Sequence, residues 1–406
     1  MKKQSIFAKC CLLLGAALTV SCNSIEQPKD VATHWVGTWG TAVQLTEPHN
    51  NPPEPGLSNN TIRQKLRVSI GGETLRLKLS NEFGNGTMKI KAINIAPSLG
   101  ESKIDSTKVT DILFNNNKAV NIEVGQSIIS DEFAFTITPR MDVAITIAFD
   151  SVPSDITGHP GSRTTSYILE GEVMSDANFE GAVATDHWYA IERIDVVAPT
   201  NTAAIAIIGN SITDGRGSTH NQQNRWVDVF TDRLMADSAT NNLATLNMGI
   251  GGNCVVKGGL GPNALARFNR DVLSQPGVKY AIVFEGVNDI GGSQNVEETE
   301  KELIAAYTQM IDSAHSHGIT IYGATISPFK SSFYYTPEKE ACRIAVNNWI
   351  RTSKKFDGVI DMEKGICSAN DTTIMDSTLH DNDFLHPNAA GHHALGSYIN
   401  LDLFKK

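Results

Sequence analysis

Positive charge is scarce in this chain: 34 lysines and arginines stand against 44 aspartates and glutamates, a formal net charge of −10. Nucleic acid and anionic membrane surfaces are held by clustered cations, so the deficit argues against both as charge-driven partners. Cysteine is scarce too, with six in 406 residues, at positions 10, 11, 22, 254, 342 and 367. Cys10 and Cys11 belong to the N-terminal leader described next and Cys22 would be acylated, which leaves an odd number in the body. A disulfide framework is therefore set aside; at most one pair can form within the chain, and Cys342 with Cys367 is the pair to test. Cys254 is expected to be packed and inert, because no basic neighbour is evident to lower its pKa. No internal repeat or low-complexity tract is present, which sets aside repeat architectures.

The leader has the layout of a secretory signal: Lys2, Lys3 and Lys9, an apolar run from Cys10 to Val20, then Ser21-Cys22. A cysteine at the cleavage point resembles a lipobox, with Thr19 where leucine is usual, so Cys22 is the expected lipidation site. An ordinary signal peptide with an incidental cysteine is the alternative. Loss of residues 1–21 removes three lysines and no acids, and takes the formal charge from −10 to −13. The expected location is exported and lipid-anchored to the cell envelope, with the lipid as the only membrane contact. Residues 22–34 read as a polar tether.

The length allows two cores. Over residues 35–198 the pattern has period two: Leu75, Leu77 and Leu79 alternate with Arg76, Lys78 and Ser80, and Ile90–Ile95, Phe133–Ile137 and Val143–Phe149 repeat the theme. Many short alternating strands with turn signals such as Gly71-Gly72 suggest a β-sandwich. From residue 199 to 406 the grammar becomes strand, loop, helix. Strands are expected at 203–208, 243–248, 280–284, 319–325 and 358–362, and helices near 225–236, 298–316 and 337–355. That alternation predicts an α/β fold with a parallel sheet covered by helices on both faces.

The chemistry collects at the ends of these strands. Ile207-Ile208-Gly209-Asn210-Ser211-Ile212-Thr213-Asp214-Gly215 puts Ser211 just past the first strand of the α/β region, where open sheets place their sites. A serine is inert near neutral pH unless a base takes its proton and a third group orients that base. Asp383 and His386, three residues apart near the C-terminus, supply both on a single turn, and Pro387 suits the first position of a following helix. Gly249-Ile250-Gly251-Gly252-Asn253 and Glu285-Gly286-Val287-Asn288-Asp289 follow two further strands. The N–H groups of Ser211 and Gly252 and the amide of Asn288 would then serve as preorganised donors to an oxyanion.

These four ordered blocks resemble the SGNH (GDSL) hydrolase superfamily, named for its serine, glycine, asparagine and histidine. The resemblance implies a flavodoxin-like three-layer α/β/α domain, with Ser211 as nucleophile, Gly252 and Asn288 in the oxyanion hole with the Ser211 N–H, His386 as base and Asp383 as orienting acid. No metal or organic cofactor is implied. Arg225-Trp226-Val227-Asp228, Ala266-Arg267-Phe268-Asn269-Arg270-Asp271-Val272-Leu273 and Gly37-Thr38-Trp39-Gly40 are similar to the XynE-like subfamily, associated with bacterial xylan utilisation; with it comes an N-terminal, jelly-roll-like sandwich. One departure is Asn210, where the family block usually has aspartate. The Ser-x-x-x-Gly spacing lacks the G-x-S-x-G elbow of α/β-hydrolases, so that rival fold is disfavoured.

Several residues carry a plainer reading beside a functional one. His380, Asp381, Asp383, His386, His392 and His393 match no zinc spacing such as H-E-x-x-H, and His380, His392 and His393 are expected on the surface. Asp214 is expected to fix the loop after the nucleophile, and Arg267 to pair with a helix carboxylate, with substrate contact as the minority view. Trp35, Trp39 and Trp188 could stack on sugars or be buried. His159 could reach the site from the sandwich, although a loop histidine is usually exposed. The leading expectation is a secreted serine esterase that takes small acyl groups, most plausibly acetyl, from an acylated polysaccharide such as xylan. A lysophospholipase or arylesterase of the same fold, and a glycan-binding lipoprotein without catalysis, are the rivals.

Overall fold

The computed structural model describes residues 32–405; the signal segment, Cys22 and most of the tether lie outside the described residues. From Thr33 onward the chain forms one compact unit.

Its N-terminal part is built from antiparallel strands. One sheet runs Thr33–Gly40, Ile191–Pro199, Gly72–Ser80, Phe133–Ile137. A larger sheet centres on Asn60–Arg67, Asp142–Ser151 and Met88–Gly100. The period-two pattern places Leu75, Leu77 and Leu79 in the core, fully buried, while Arg76 and Lys78 reach the surface and pair with Asp195 and Glu192. Val143–Phe149 departs from the expected alternation and is buried on both faces. It sits mid-sheet, bonded on one side to Asn60–Arg67 and on the other to Met88–Gly100, and side chains such as Arg63, bonded to Thr146, cover the second face. A short third sheet joins Gln44–Leu45, Thr157–His159 and Trp188–Tyr189.

The C-terminal part is a five-stranded parallel sheet: β1 (Ala203–Gly209), β2 (Leu243–Gly249), β3 (Val278–Phe284), β4 (Thr320–Ala324) and β5 (Gly358–Ile360), in spatial order 2-1-3-4-5. This is the flavodoxin-type doubly wound order, whose reversal between β1 and β3 opens a crevice at the strands' carboxyl ends. β1 is buried at every position because helices cover both faces. The covering helices are α1 (Ser211–Asp214), α2 (Trp226–Ala236), α3 (Ala264–Phe268), α4 (Val287–Gly292), α5 (Val296–Ser316), α6 (Pro337–Thr352), α7 (Met362–Ile366) and α8 (Ala389–Tyr398). Leu303, Tyr307, Met310 and Ile311 of α5 form a stripe toward the core.

One apolar cluster runs without interruption from the sandwich residues Val36, Leu75 and Ile194 to Leu246 and Met248 of β2. The strand Thr33–Gly40 makes this join: a Cβ on Gly37 would stand 3.1 Å from the Leu246 side chain, tighter than ordinary contact, so glycine lets the two layers close without displacing that side chain. Arg270 fastens the same seam, with both Glu82 oxygens at 3.0 Å and the Val43 carbonyl at 3.0 Å. Cys342 and Cys367 do not form the disulfide considered from sequence; with Cys254 they are free thiols.

Candidate active site

Ser211 opens α1 immediately beyond β1, so its N–H has no carbonyl a turn earlier to bind. Asn210 caps this one-turn helix, its Oδ1 accepting from the Ile212 N–H at 3.0 Å. An aspartate would cap in the same way, and the neighbour of Asn210 gives a reason for the neutral side chain. Burial pushes the Glu285 carboxyl well up, against the Arg267 charge and the Asn210 amide, and a second carboxylate at 210 would add repulsion in a buried place. Gly215 ends the helix at φ 110°, a left-handed position suited to glycine.

His386 reaches Ser211 from the far end of the chain. Its Nε2 lies 2.9 Å from Ser211 Oγ, and its Nδ1 lies 2.6 Å from Asp383 Oδ2. Asp383 Oδ1 accepts from the N–H groups of Leu385 and His386, at 3.0 and 2.8 Å. Burial alone would raise the Asp383 carboxyl, but these donors and the imidazole hold it below the usual carboxylate value. Asn382 and Phe384 on either side both take positive φ, 58° and 56°, a strained turn that sets Asp383 beneath the ring. Pro387 does not occupy the first helical position as expected. Asn388 is the N-cap of α8, accepting from the Gly391 N–H, and Pro387 precedes it; the side-chain cap supplies the helix start that proline was expected to give.

The oxyanion candidates meet at the same place. No acceptor among the described residues takes the N–H of Ser211 or of Gly252, and Gly252 holds φ +68°. Asn288 gives one amide hydrogen to the Asn253 carbonyl at 2.7 Å and accepts from Tyr334 Oη at 3.0 Å, so its orientation is fixed and its second hydrogen is free. Ser211, Gly252, Asn288 and His386 line one cleft of about 400 Å³. The arrangement has the parts for acyl transfer: a hydroxyl, an imidazole to take its proton, a carboxylate behind the imidazole, and three donors for an oxyanion.

Burial lowers the His386 imidazole below its ordinary 6.5; Asp383 opposes this, and the charges of Arg216 and Arg163 add to the lowering. The base must be neutral, so acid inactivates only below that depressed value. The acid limb of a kcat/KM profile on a neutral ester is expected to have its midpoint under 6.5. A midpoint at or above 6.5 would show that Asp383 outweighs burial.

Several sequence expectations are corrected. His159 is buried, with Nε2 2.8 Å from Asp214 Oδ1 and Nδ1 2.8 Å from the Ala42 carbonyl, because it sits on a strand inside the seam. Asp214 thereby ties the nucleophile's helix to the sandwich. His380 and His392 are buried too: His392 accepts from the Trp226 N–H and contacts the Arg216 carbonyl, holding α8 against α2, and His380 lies against the Phe384 ring. His393 is exposed, as is Asp381. Trp39 and Trp188 pack edge to face in the core, and Trp35 lies under Arg76. The Cys254 thiol is buried and pushed up to about 12 by burial, with Asp289 and Glu285 adding to it.

Arg267 pairs with Asp271 at 2.8 Å, as expected, and does more. Its guanidinium also reaches the Met248 carbonyl at 2.6 Å, the Gly209 carbonyl at 3.1 Å and Asn253 Oδ1 at 2.9 Å. It therefore gathers the ends of β1 and β2 and the loop that carries Gly252. Sequence reasoning missed Asn253 in this role, and missed Phe333, Tyr334, Arg163 and Arg216 as cleft residues. The Asn253 signal was adjacency to Gly252; the others lie outside any motif block.

Residues 207–394 match the GDSL-like lipase/acylhydrolase family. No curated protein matches the chain. Among solved structures, the chain is similar to a catalytic mutant of an acetylxylan esterase from Geobacillus stearothermophilus, at 17% identity and TM-score 0.37, over 48% of this chain and 91% of that one. It is also similar to a GDSL-like lipase from Bacteroides thetaiotaomicron, at 18% identity and TM-score 0.35, over 50% and 88%. The α/β part of the chain carries, over residues 207–394, a GDSL-like lipase/acylhydrolase domain, which supports carboxylic ester hydrolysis.

Proposed function

We propose that the protein is an exported, lipid-anchored serine esterase that removes small acyl groups, acetyl foremost, from a polysaccharide such as xylan. The observation that carries the mechanism is the unbroken chain Ser211 Oγ, His386, Asp383, at 2.9 and 2.6 Å. His386 takes the Ser211 proton as Oγ attacks the ester carbonyl. The Ser211 and Gly252 N–H groups and the Asn288 amide receive the oxyanion. Protonated His386 then gives its proton to the leaving alcohol, and water, deprotonated by His386, releases the acid from Ser211. Asp383 holds the ring so that Nε2 faces Oγ throughout.

The polysaccharide rests on the XynE-like sequence resemblance and on the character of the cleft. Polar side chains line part of it, including Gln44, Glu47, Asn50 and His187, with Phe333, 75% exposed, at its edge. An exposed ring beside hydroxyl-binding groups suits a sugar face. Acetate release from acetylated xylan is expected to exceed fatty-acid release from a lysophospholipid at equal enzyme; the reverse order would make the protein lipolytic. Export and anchoring rest on the leader sequence. Cells expressing the full chain and fed a radiolabelled fatty acid are expected to label the wild type and not Cys22→Ser. Equal labelling would remove the anchor from position 22.

A further inference from the structure

The chain contains thirteen arginines. Eleven donate side-chain hydrogen bonds to carboxylates, carbonyls or other oxygens. Arg163 and Arg216 are the two whose guanidinium groups make none among the described residues, and both line the cleft that holds Ser211 and His386. Arg216 is exposed and has no carboxylate partner. Its backbone is nevertheless fixed at both ends: its N–H donates to the Ser211 carbonyl at 2.8 Å, and its carbonyl contacts the His392 ring at 2.9 Å. Arg163 arrives from the sandwich with φ +52°, an uncommon backbone for a residue other than glycine. Its Nη2 is 3.6 Å from Asp214 Oδ2, too far to hydrogen-bond, and its Nε is buried without a partner. Asp214 gives its Oδ1 to His159, and its Oδ2 faces Arg163 in that long ion pair. The other carboxylate facing the cleft, Glu47, accepts from Gln44 and Asn50 and pairs with neither arginine.

An unpaired guanidinium fork at Arg216, beside an Arg163 held only by a long ion pair to Asp214, in a binding cleft of an acidic protein is positioned for a carboxylate, which such forks bind by paired, charge-assisted hydrogen bonds. We propose that the preferred substrate is an ester carrying a carboxylate near the scissile bond, gripped by Arg216 with Arg163 beside it, while groups such as Glu47 and His187 take hydroxyls. The inference deepens the esterase reading and rests on it. In that arrangement the sandwich supplies specificity to a site whose chemistry lies in the α/β part.

Two matched pairs test it and locate the carboxylate. O-acetylated glucuronic acid against the acetylated glucuronamide places the charge on the alcohol side; 4-nitrophenyl hydrogen succinate against 4-nitrophenyl butyrate places it on the acyl side. The wild type is expected to favour the acid in one pair by roughly tenfold in kcat/KM, and Arg216→Gln to shrink that ratio by about tenfold. Should Arg216→Gln fail to fold, Arg163→Gln and a salt titration of the wild type read the same ratio, which is expected to fall in both. Turnover of 4-nitrophenyl acetate with no discrimination in either pair overturns the inference alone, as does a preference untouched by both substitutions and by salt. No turnover of any ester overturns the esterase reading and the inference with it.

Discussion

Ser211→Ala is expected to lower ester turnover by about four to six orders of magnitude, assayed on 4-nitrophenyl acetate. The Ser211 hydroxyl makes a single side-chain hydrogen bond, to His386, while the helix cap comes from Asn210. Its removal therefore takes away the nucleophile and leaves the local structure, and the melting temperature is expected to stay within a degree or so of wild type. His386→Ala should cost a similar factor. The double variant should be no worse than either single one, because a nucleophile and its base act as a unit and are non-additive when removed. Two losses that multiply would mean that the groups work independently, and the 2.9 Å contact would then have another purpose.

Arg267 is where the largest loss of stability is expected. Arg267→Ala should lower the urea midpoint by the equivalent of about 3–5 kcal/mol at unchanged slope. Asp271 would not be abandoned, since Arg270 still binds it at 2.6 Å, so a bare buried charge is not the main term. The cost comes chiefly from the Met248 carbonyl and Asn253 Oδ1, buried acceptors that lose this donor at roughly 1–3 kcal/mol each, reduced where water can enter, while the Gly209 carbonyl keeps the Ile250 N–H at 3.0 Å. Arg267→Lys should recover little, because one ammonium cannot fork to acceptors on three separate segments. Full recovery by lysine would show that charge and not geometry is what the site requires. Activity should fall with stability, since Asn253 adjoins Gly252 and its carbonyl orients Asn288.

The blocks around Ser211, Gly252, Asn288 and His386 were legible because each combines a short apolar strand with a turn whose residue types are chemically restrictive. Local pattern carries that information: a wholly buried run such as Ala203–Gly209 has one structural reading once helices alternate with it. Arg163 and His159 were not legible in this way. They belong to the sandwich in sequence and reach the nucleophile's surroundings only because the seam folds them there, through Asp214. Surface and buried histidines were likewise indistinguishable by composition; His392 is buried by the packing of α8 on α2, which no spacing encodes.

The sequence by itself determined the α/β alternation, the alternating sandwich strands and the identity of the chemical groups, since these depend on periodicity and side-chain type within a few residues. Tertiary structure decided that His386 meets Ser211, which arginines face the cleft without a hydrogen bond, and that the sandwich walls that cleft. Those outcomes depend on distances between residues more than a hundred positions apart, and such distances are fixed by packing of the shared core and not by local preference.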